Sequence, residues 1–323
     1  MCKILPPTLE AVAAAADHLR SGGLVAIPTE TVYGVAGDTF NPAALEAILT
    51  LKGRPRNNPM IAHVGDVDRA CALTPRWPVG AAALAERFWP GPLTIIVDRG
   101  SDVPLGATGG RETIAIRWPR HTVAQQILDA FGGPLSAPSA NITGRTSTTR
   151  ATDVARDFAD RPGGDALTII DGGPCAVGVE STVIDLSSQQ TIPAILRPGV
   201  VTVEEIQEVI GDVTDIRQDV QGSAPGTSQR HYAPSIPLTV TTDPAACLSP
   251  PPGSVVIVPE GVEVDCDEVR VLPSDPAGFA QQLYAALHDA QGDTIDQIIV
   301  VAPLLETPAW AAIRDRLYRA SSV

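Results

Sequence analysis

The 323-residue sequence predicts an α/β protein in two parts: a mixed sheet with flanking helices, then a smaller, Rossmann-like α/β unit. Three observations carry that expectation. Short apolar runs interleave with capped helical patterns through residue 212, without strict βαβ alternation. Consecutive strand patterns between residues 168 and 197 imply hairpins, so antiparallel pairing should accompany parallel pairing. A polar segment rich in Gly, Ser, Pro and Gln interrupts the pattern at residues 213–237, after which strands resume. The expected divisions are residues 1–212, a linker or lid at 213–237, and a second unit at 238–323.

The elements follow in order. Thr8 can cap a helix over residues 9–20, ended by Ser21-Gly22-Gly23. Residues 24–27 form a short buried strand stopped by Pro28. Asn41-Pro42 supplies an N-cap and first helical residue for a helix through Lys52. Strands are expected at 61–64, 93–97 and 113–118, with helices at 79–88 and 122–131 and a short strand running into Ala137. A helix at 152–159, strands at 168–170, 181–186 and 194–197, and a helix at 203–210 complete the first part. The second has strand patterns at 238–240, 254–258, 269–272 and 297–301, and helices at 277–290 and 307–319. A parallel sheet is expected there. It has no GxGxxG or GxxxxGK[ST], so no nucleotide site is assigned to it.

Composition narrows the function. With 44% hydrophobic and 19% charged residues, the chain should be ordered. A net charge of −14 argues against a nucleic-acid backbone as main partner, and no strong direct nucleic-acid binding is expected. The five cysteines are odd in number and form no CxxC pair, so neither a disulfide framework nor a zinc site is expected. No signal-peptide pattern and no membrane-length apolar run are visible, which makes the cytoplasm the expected location.

The chain uses 21 arginines and only two lysines, one of them in Lys52-Gly53-Arg54-Pro55-Arg56-Asn57-Asn58-Pro59. A compact ammonium beside a rigid guanidinium fork suits a phosphate chain next to a small anion. A basic helix end favoured by the helix dipole is the alternative. The loop Pro28-Thr29-Glu30-Thr31-Val32-Tyr33-Gly34 follows a strand directly, where α/β sheets bind ligands. His63 and Arg117 sit on strands, where each is either a site residue or a satisfied structural group. Residues 136–147 are small and polar, as a loop that admits a phosphate must be. Glu180-Ser181-Thr182 and Leu196-Arg197-Pro198-Gly199 add hydroxyls and a further cation. No nucleophilic triad and no protein metal site stand out, so the pattern fits chemistry by positioning.

Together these segments resemble the Sua5/YrdC family of threonylcarbamoyl-AMP synthases over residues 23–199, with Lys52/Arg54 and Ser139/Asn141 similar to the family's signature tetrad. Pro225-Gly226 and His231-Tyr232-Ala233-Pro234 are similar to the linker of the two-domain Sua5 form, whereas Thr227-Ser228-Gln229 departs from it. The resemblance implies a YrdC-like twisted mixed sheet. It also implies nucleotidyl transfer: L-threonine, bicarbonate and ATP give threonylcarbamoyl-AMP and pyrophosphate. Mg²⁺ would be held mainly by the ATP phosphates rather than by a protein site. The product would pass to the machinery that makes the threonylcarbamoyl modification of adenosine 37 in tRNA. Carried over, threonine is bound by Thr31, His63, Arg117, Ala137 and Ser181. ATP is bound by Lys52, Arg54, Asn58, Thr113, Ser139, Asn141, Ser147, Arg197 and Tyr232, with Lys52 and Arg54 catalytic and Lys52 facing the phosphates or bicarbonate. Two other classes compete. One is a non-catalytic RNA-binding module, disfavoured by the acidic balance. The other is the carbamoyl-transfer domain of hydrogenase maturation proteins, which would bring acylphosphatase and zinc-finger segments that this chain lacks.

Overall fold

A computed structural model of the chain describes residues 2–215, 231–247, 250–292, 294–302 and 307–321. Among these, the first strands are β1 (Lys3–Leu5), β2 (Val25–Ile27), β3 (Gly34–Asp38), β4 (Ile61–His63), β5 (Leu93–Asp98) and β6 (Thr113–Arg117). They are followed by β7 (Leu135–Ser136), β8 (Thr168–Ile170), β9 (Thr182–Asp185), β10 (Ala194–Arg197) and β11 (Thr214–Asp215). They form one mixed sheet in the order β1-β8-β2-β3-β7-β4-β6-β5-β9-β10-β11. The β9–β10 pair is antiparallel, as the strand cluster implied, but β8 pairs in parallel with β1 and β2 instead of joining that hairpin.

Apolar side chains decide how the layers close. Helices Leu9–Arg20 and Thr122–Phe131 bury Leu19, Ile127 and Leu128 against Val25, Ile27 and Leu135. On the other face Leu45, Ile48, Leu84, Val154 and Phe158, from three further helices, pack on Val35, Ile95 and Ile116. Capping sets where the functional segments begin. Asn41 Oδ1 accepts from Ala43 N at 3.0 Å and opens helix Pro42–Lys52. Gly53 closes that helix at φ 61°, a left-handed conformation that other residues adopt only at a cost. The helix therefore stops with Lys52 and Arg54 beside the sheet.

The second unit is a parallel sheet of β12 (Leu238–Thr241), β13 (Ser254–Pro259), β14 (Val269–Leu272) and β15 (Gln297–Val301). Its order is β12-β15-β13-β14, and helices Pro276–Asp289 and Ala311–Ser321 bury Phe279, Leu283, Ile313 and Leu317 in its core.

Several elements were not expected from sequence. These are β1, β3, β11 and the short helices Val67–Cys71 and Leu105–Thr108. β3 reads Gly-Val-Ala-Gly-Asp, which hides strand propensity; pairing with β2 and β7 on either side makes it a strand. Residues 28–34 thus begin a strand-to-strand connection. β11 lies within the expected linker and pairs with β10, while Pro225-Gly226 and Thr227-Ser228-Gln229 lie outside the described residues.

The two units share apolar packing. Val32 and Val179 of the first sit in the same buried cluster as Tyr232, Phe279 and Tyr284. Arg150 forms an ion pair with Asp289 at 2.7 Å across the same boundary. Gly178 makes the closest approach: at φ +81°, a Cβ there would fall 2.3 Å from Gln281 Cα and 2.4 Å from the Ala280 carbonyl. Gly178→Ala should therefore destabilise the protein by at least about 2 kcal/mol, from left-handed strain plus backbone overlap. Urea unfolding measures this, and an unchanged midpoint would mean that the units do not pack here.

Candidate active site

The recess opens where β4 and β6 end. These strands run parallel with His63 opposite Arg117, so the two side chains stand side by side on one face. The β2–β3 connection brings Thr29 and Thr31 over them, and the segment after β7 adds Ala137 and Ser139. Arg54, Glu180, Ser181, Arg197, His231 and Tyr232 also line it.

One half has the polarity of an amino-acid site. Arg117 Nη1 donates to Thr31 Oγ1 at 2.8 Å, and Nε donates to the Gly91 carbonyl at 3.2 Å. Its Nη2 lies 2.8 Å from Glu30 Oε1. That contact is an ion pair by distance but is not aligned as a hydrogen bond, and both atoms are otherwise without a hydrogen-bond partner. Arg117 thus has a structural carboxylate partner, Glu30, and also faces the recess, so the two sequence readings of it coexist. Glu30 was missed as Arg117's partner because its pairing spans 87 residues of chain. His63 Nδ1 lies 3.3 Å from the Ile61 carbonyl. Burial, reinforced by the Arg117 charge, lowers its pKa to about 3. It is a neutral imidazole near pH 7. Ser181 Oγ pairs with Thr94 Oγ1 at 2.7 Å and accepts from Arg197 Nη2 at 3.1 Å.

The other half is cationic. Arg54 Nη2 donates to Asn58 Oδ1 and to the Pro59 carbonyl, each at 2.7 Å. Burial lowers its pKa to about 10, with Arg197 adding repulsion. It stays charged near neutrality. Two buried guanidiniums that repel each other make this wall favourable to an anion.

Five expected ATP residues do not line the recess. Lys52 is buried, and its Nζ donates to the main-chain carbonyls of Ser139 and Asn141. It ties the 139–141 loop to the helix end rather than facing the recess. Burial, with the Arg54 charge adding to it, holds its pKa well below that of an ordinary lysine. Asn141 turns its Nδ2 to the Ile142 and Arg145 carbonyls, at 2.9 and 2.8 Å. Ser147 Oγ donates to Glu180 Oε1 at 2.5 Å. Thr113 starts β6, four residues before Arg117. At about 3.3 Å per residue that is roughly 13 Å from the recess end of the strand. Asn58 also lies outside the lining and acts through Arg54.

Residues 231–233 are pinned against the first unit. Ala233 N donates to the Gly144 carbonyl at 3.0 Å, and Thr146 Oγ1 donates to the Tyr232 carbonyl at 3.1 Å. Tyr232 has φ 64°, a conformation costing about 1–3 kcal/mol for a bulky residue. Its ring stacks on Tyr284 at 5.9 Å, and the Arg316 guanidinium lies 5.3 Å from its centroid. Burial raises its pKa to about 12 and lowers that of His231 to about 3.

Sequence reasoning also missed what holds Glu180. Its Oε2 accepts from Arg316 Nε at 2.8 Å and from the Tyr284 hydroxyl at 3.0 Å, both in the second unit. Burial alone would raise this carboxyl, but the charges of Arg316 and Arg197 and the Ser147 bond overcome it and leave a pKa of about 2. Nothing in local sequence links position 180 to position 316.

Fold and site define a class: an α/β protein with a recess for a small polar molecule beside an anion, closed by a segment leading to a second α/β unit. Residues 17–199 match the Sua5–YciO–YrdC family model, described as "Telomere recombination". Residues 201–322 match the model described as "Threonylcarbamoyl-AMP synthase, C-terminal domain". A Pyrococcus abyssi protein named Threonylcarbamoyl-AMP synthase is 38% identical over 324 residues, covering 95% of this chain and 93% of the relative. A Schizosaccharomyces pombe protein of the same name is 30% identical, covering 99% and 90%. The crystal structure of P. abyssi Sua5 complexed with L-threonine superposes with TM-score 0.87 at 35% identity, covering 99% of this chain and 97% of that one. The chain belongs to the Sua5/YrdC family, in its two-domain Sua5 form.

Two outcomes follow. His63 and His231 have folded pKa values of about 3, against about 6.5 unfolded. The unfolded chain therefore binds more protons between these values, so stability is full above about pH 6.5 and falls with pH below it. Each histidine contributes a slope of about 1.4 kcal/mol per pH unit. Urea unfolding from pH 7 to 4 should show this loss, and His63→Asn should remove one proton's worth of slope. The second outcome concerns Lys52, whose Nζ fits between two carbonyls of one loop. A guanidinium fork is too large there, so Lys52→Arg should lower turnover more than about tenfold despite keeping the charge. Wild-type turnover in that variant would mean that the scarcity of lysine is compositional only.

Proposed function

We propose that this chain is an L-threonylcarbamoyladenylate synthase. It condenses L-threonine, bicarbonate and ATP to threonylcarbamoyl-AMP and pyrophosphate, for the threonylcarbamoyl modification of tRNA. The carrying observation is that an amino-acid-like half (Thr31, His63, Arg117, Ala137, Ser181) and a cationic half (Arg54, Ser139, Arg197, Tyr232) line one recess. Relatives named for this activity match over nearly the whole chain, and the P. abyssi protein has been crystallised with L-threonine.

In this reading Arg117 pairs the threonine carboxylate, and Glu30 keeps the guanidinium from being an unpaired buried charge. Neutral His63 can accept a hydrogen bond from the substrate without opposing Arg117. The threonine amine takes up bicarbonate, losing water, to give a carbamate. A carbamate oxygen then attacks the α-phosphorus in line as the bond to pyrophosphate breaks. Arg54 and Arg197 stabilise the charge on the phosphates and on departing pyrophosphate. Lys52 and Asn141 act by holding the Ser139 loop, and no side chain serves as nucleophile. Among the described residues no group of three or more His, Cys, Asp or Glu is placed to hold a metal, and Glu180 is engaged by Arg316. Mg²⁺ would be held by the ATP phosphates rather than by these side chains, and would supply partial neutralisation of the phosphate charge. Among the described residues no helix is long and apolar enough to cross a membrane.

The test is pyrophosphate release. It should require L-threonine, bicarbonate and ATP together, and ¹⁸O from labelled bicarbonate should appear in the carbamoyl group and in its bridge to AMP. Valine should be at least about a hundredfold poorer, since its methyl cannot make the hydrogen bonds that the threonine hydroxyl makes in a polar recess. Release without threonine would overturn the reading, and salt-sensitive tRNA binding without release would overturn it in favour of an RNA-binding module.

A further inference from the structure

The last helix of the second unit, Ala311–Ser321, sends one side chain into the boundary of the recess. The Arg316 side chain is fully buried. Its Nε donates to Glu180 Oε2 at 2.8 Å, and its Nη2 donates to the Glu180 carbonyl at 3.3 Å. Its Nη1 donates to the Pro198 carbonyl at 2.8 Å. The guanidinium thus grips two segments of the first unit at once: the turn before β9 and the turn after β10. The first carries Glu180 and Ser181 of the recess lining, and the second directly follows Arg197 of the cationic half. Glu180, once gripped, leaves Oε1 to accept from Ser147, and Pro198 directly follows Arg197. Arg197 itself is bonded to Ser181, the residue after Glu180.

We infer that Arg316 is a positioning residue for the ATP side of the recess, so the second unit supplies part of the site's architecture; this rests on the synthase reading above. The physical reason is competition for one carboxylate. Glu180 sits between Arg316 and Arg197, both close enough to act on its charge. While Arg316 holds Oε2, Arg197 is left oriented by Ser181. Without Arg316, the buried carboxylate turns to the remaining guanidinium, because an uncompensated buried charge is costly. Arg197 is then drawn from its Ser181 bonds toward Glu180 and out of its place in the recess wall. A lysine cannot replace the fork, because one point charge cannot serve the Glu180 carboxylate, the Glu180 carbonyl and the Pro198 carbonyl together. Among the described residues Arg316 bonds to Glu180, Pro198 and Asp315 rather than to Thr31, His63 or Arg117, so the part of the threonine half built on Thr31, His63 and Arg117 should be spared.

The test uses the full-length protein with Arg316→Lys, Arg316→Met and Tyr284→Phe. The last removes one hydroxyl bond to Glu180 while keeping the ring on Tyr232. KM for ATP, and Kd for ATP by calorimetry, should rise about tenfold or more in both Arg316 variants. Both should rise severalfold in Tyr284→Phe, with Kd for L-threonine within about twofold of wild type throughout. Equal weakening of both ligands would mean a merely structural role and would overturn the proposal, as would unchanged ATP constants. If the Arg316 variants do not fold, Tyr284→Phe decides by the same criteria. A wild-type protein that binds both ligands but releases no pyrophosphate would sink the synthase reading, and the ATP titrations would still decide on Arg316.

Discussion

A buried ion pair between the two units, Glu180 with Arg316, is the constraint on which the rest of the site depends. A carboxylate this deep is tolerable only when paired and hydrogen-bonded, and removing one partner of such a pair typically costs about 3–5 kcal/mol. Four groups converge on it: Arg316, Arg197, Ser147 and the Tyr284 hydroxyl. Two come from each unit. The pair therefore fixes more than its own geometry. It sets the spacing between the turn before β9 and the turn after β10, and it lays a guanidinium against the Tyr232 ring. Tyr232 can then keep a left-handed backbone, because the stack on Tyr284 and the Thr146 bond hold it there.

This arrangement explains how an acidic protein can present a cationic recess. The net charge of −14 is spread over the chain. Within the site, Glu30 and Glu180 are already engaged by Arg117 and Arg316. Arg54 and Arg197 then bring buried positive charge to the recess, where electrostatic interactions are stronger than in water. Lys52 contributes differently. By bonding two carbonyls of the 139–141 loop it shapes the wall, which accounts for a compact ammonium where arginine is otherwise the rule.

Much of this was legible in the sequence where the signal is local. Thr8 and Asn41-Pro42 mark helix starts that the structure reproduces, because a cap needs only neighbouring residues. The halves of the recess could be listed from strand-end motifs, because strand ends place residues predictably. Failures came where pairing overrides propensity or where partners are remote. β3 is a strand because of its neighbours in the sheet, despite its two glycines. Thr113, expected on the ATP side, starts β6 four residues before Arg117 and is not in the recess lining. Lys52, Asn58, Asn141 and Ser147 have the right chemistry for a ligand yet spend it on the protein. The Glu30–Arg117 and Glu180–Arg316 pairs span long stretches of chain, and a single sequence carries no trace of them.

If both units build one site, the first unit alone should be an incomplete enzyme. The most direct measurement is threonine- and bicarbonate-dependent pyrophosphate release by a chain ending at residue 212, compared with the full chain. The account predicts a folded first unit that still binds L-threonine but has lost most of its turnover, because Glu180 and Arg197 are no longer held apart. Full turnover in the shortened chain would contradict it.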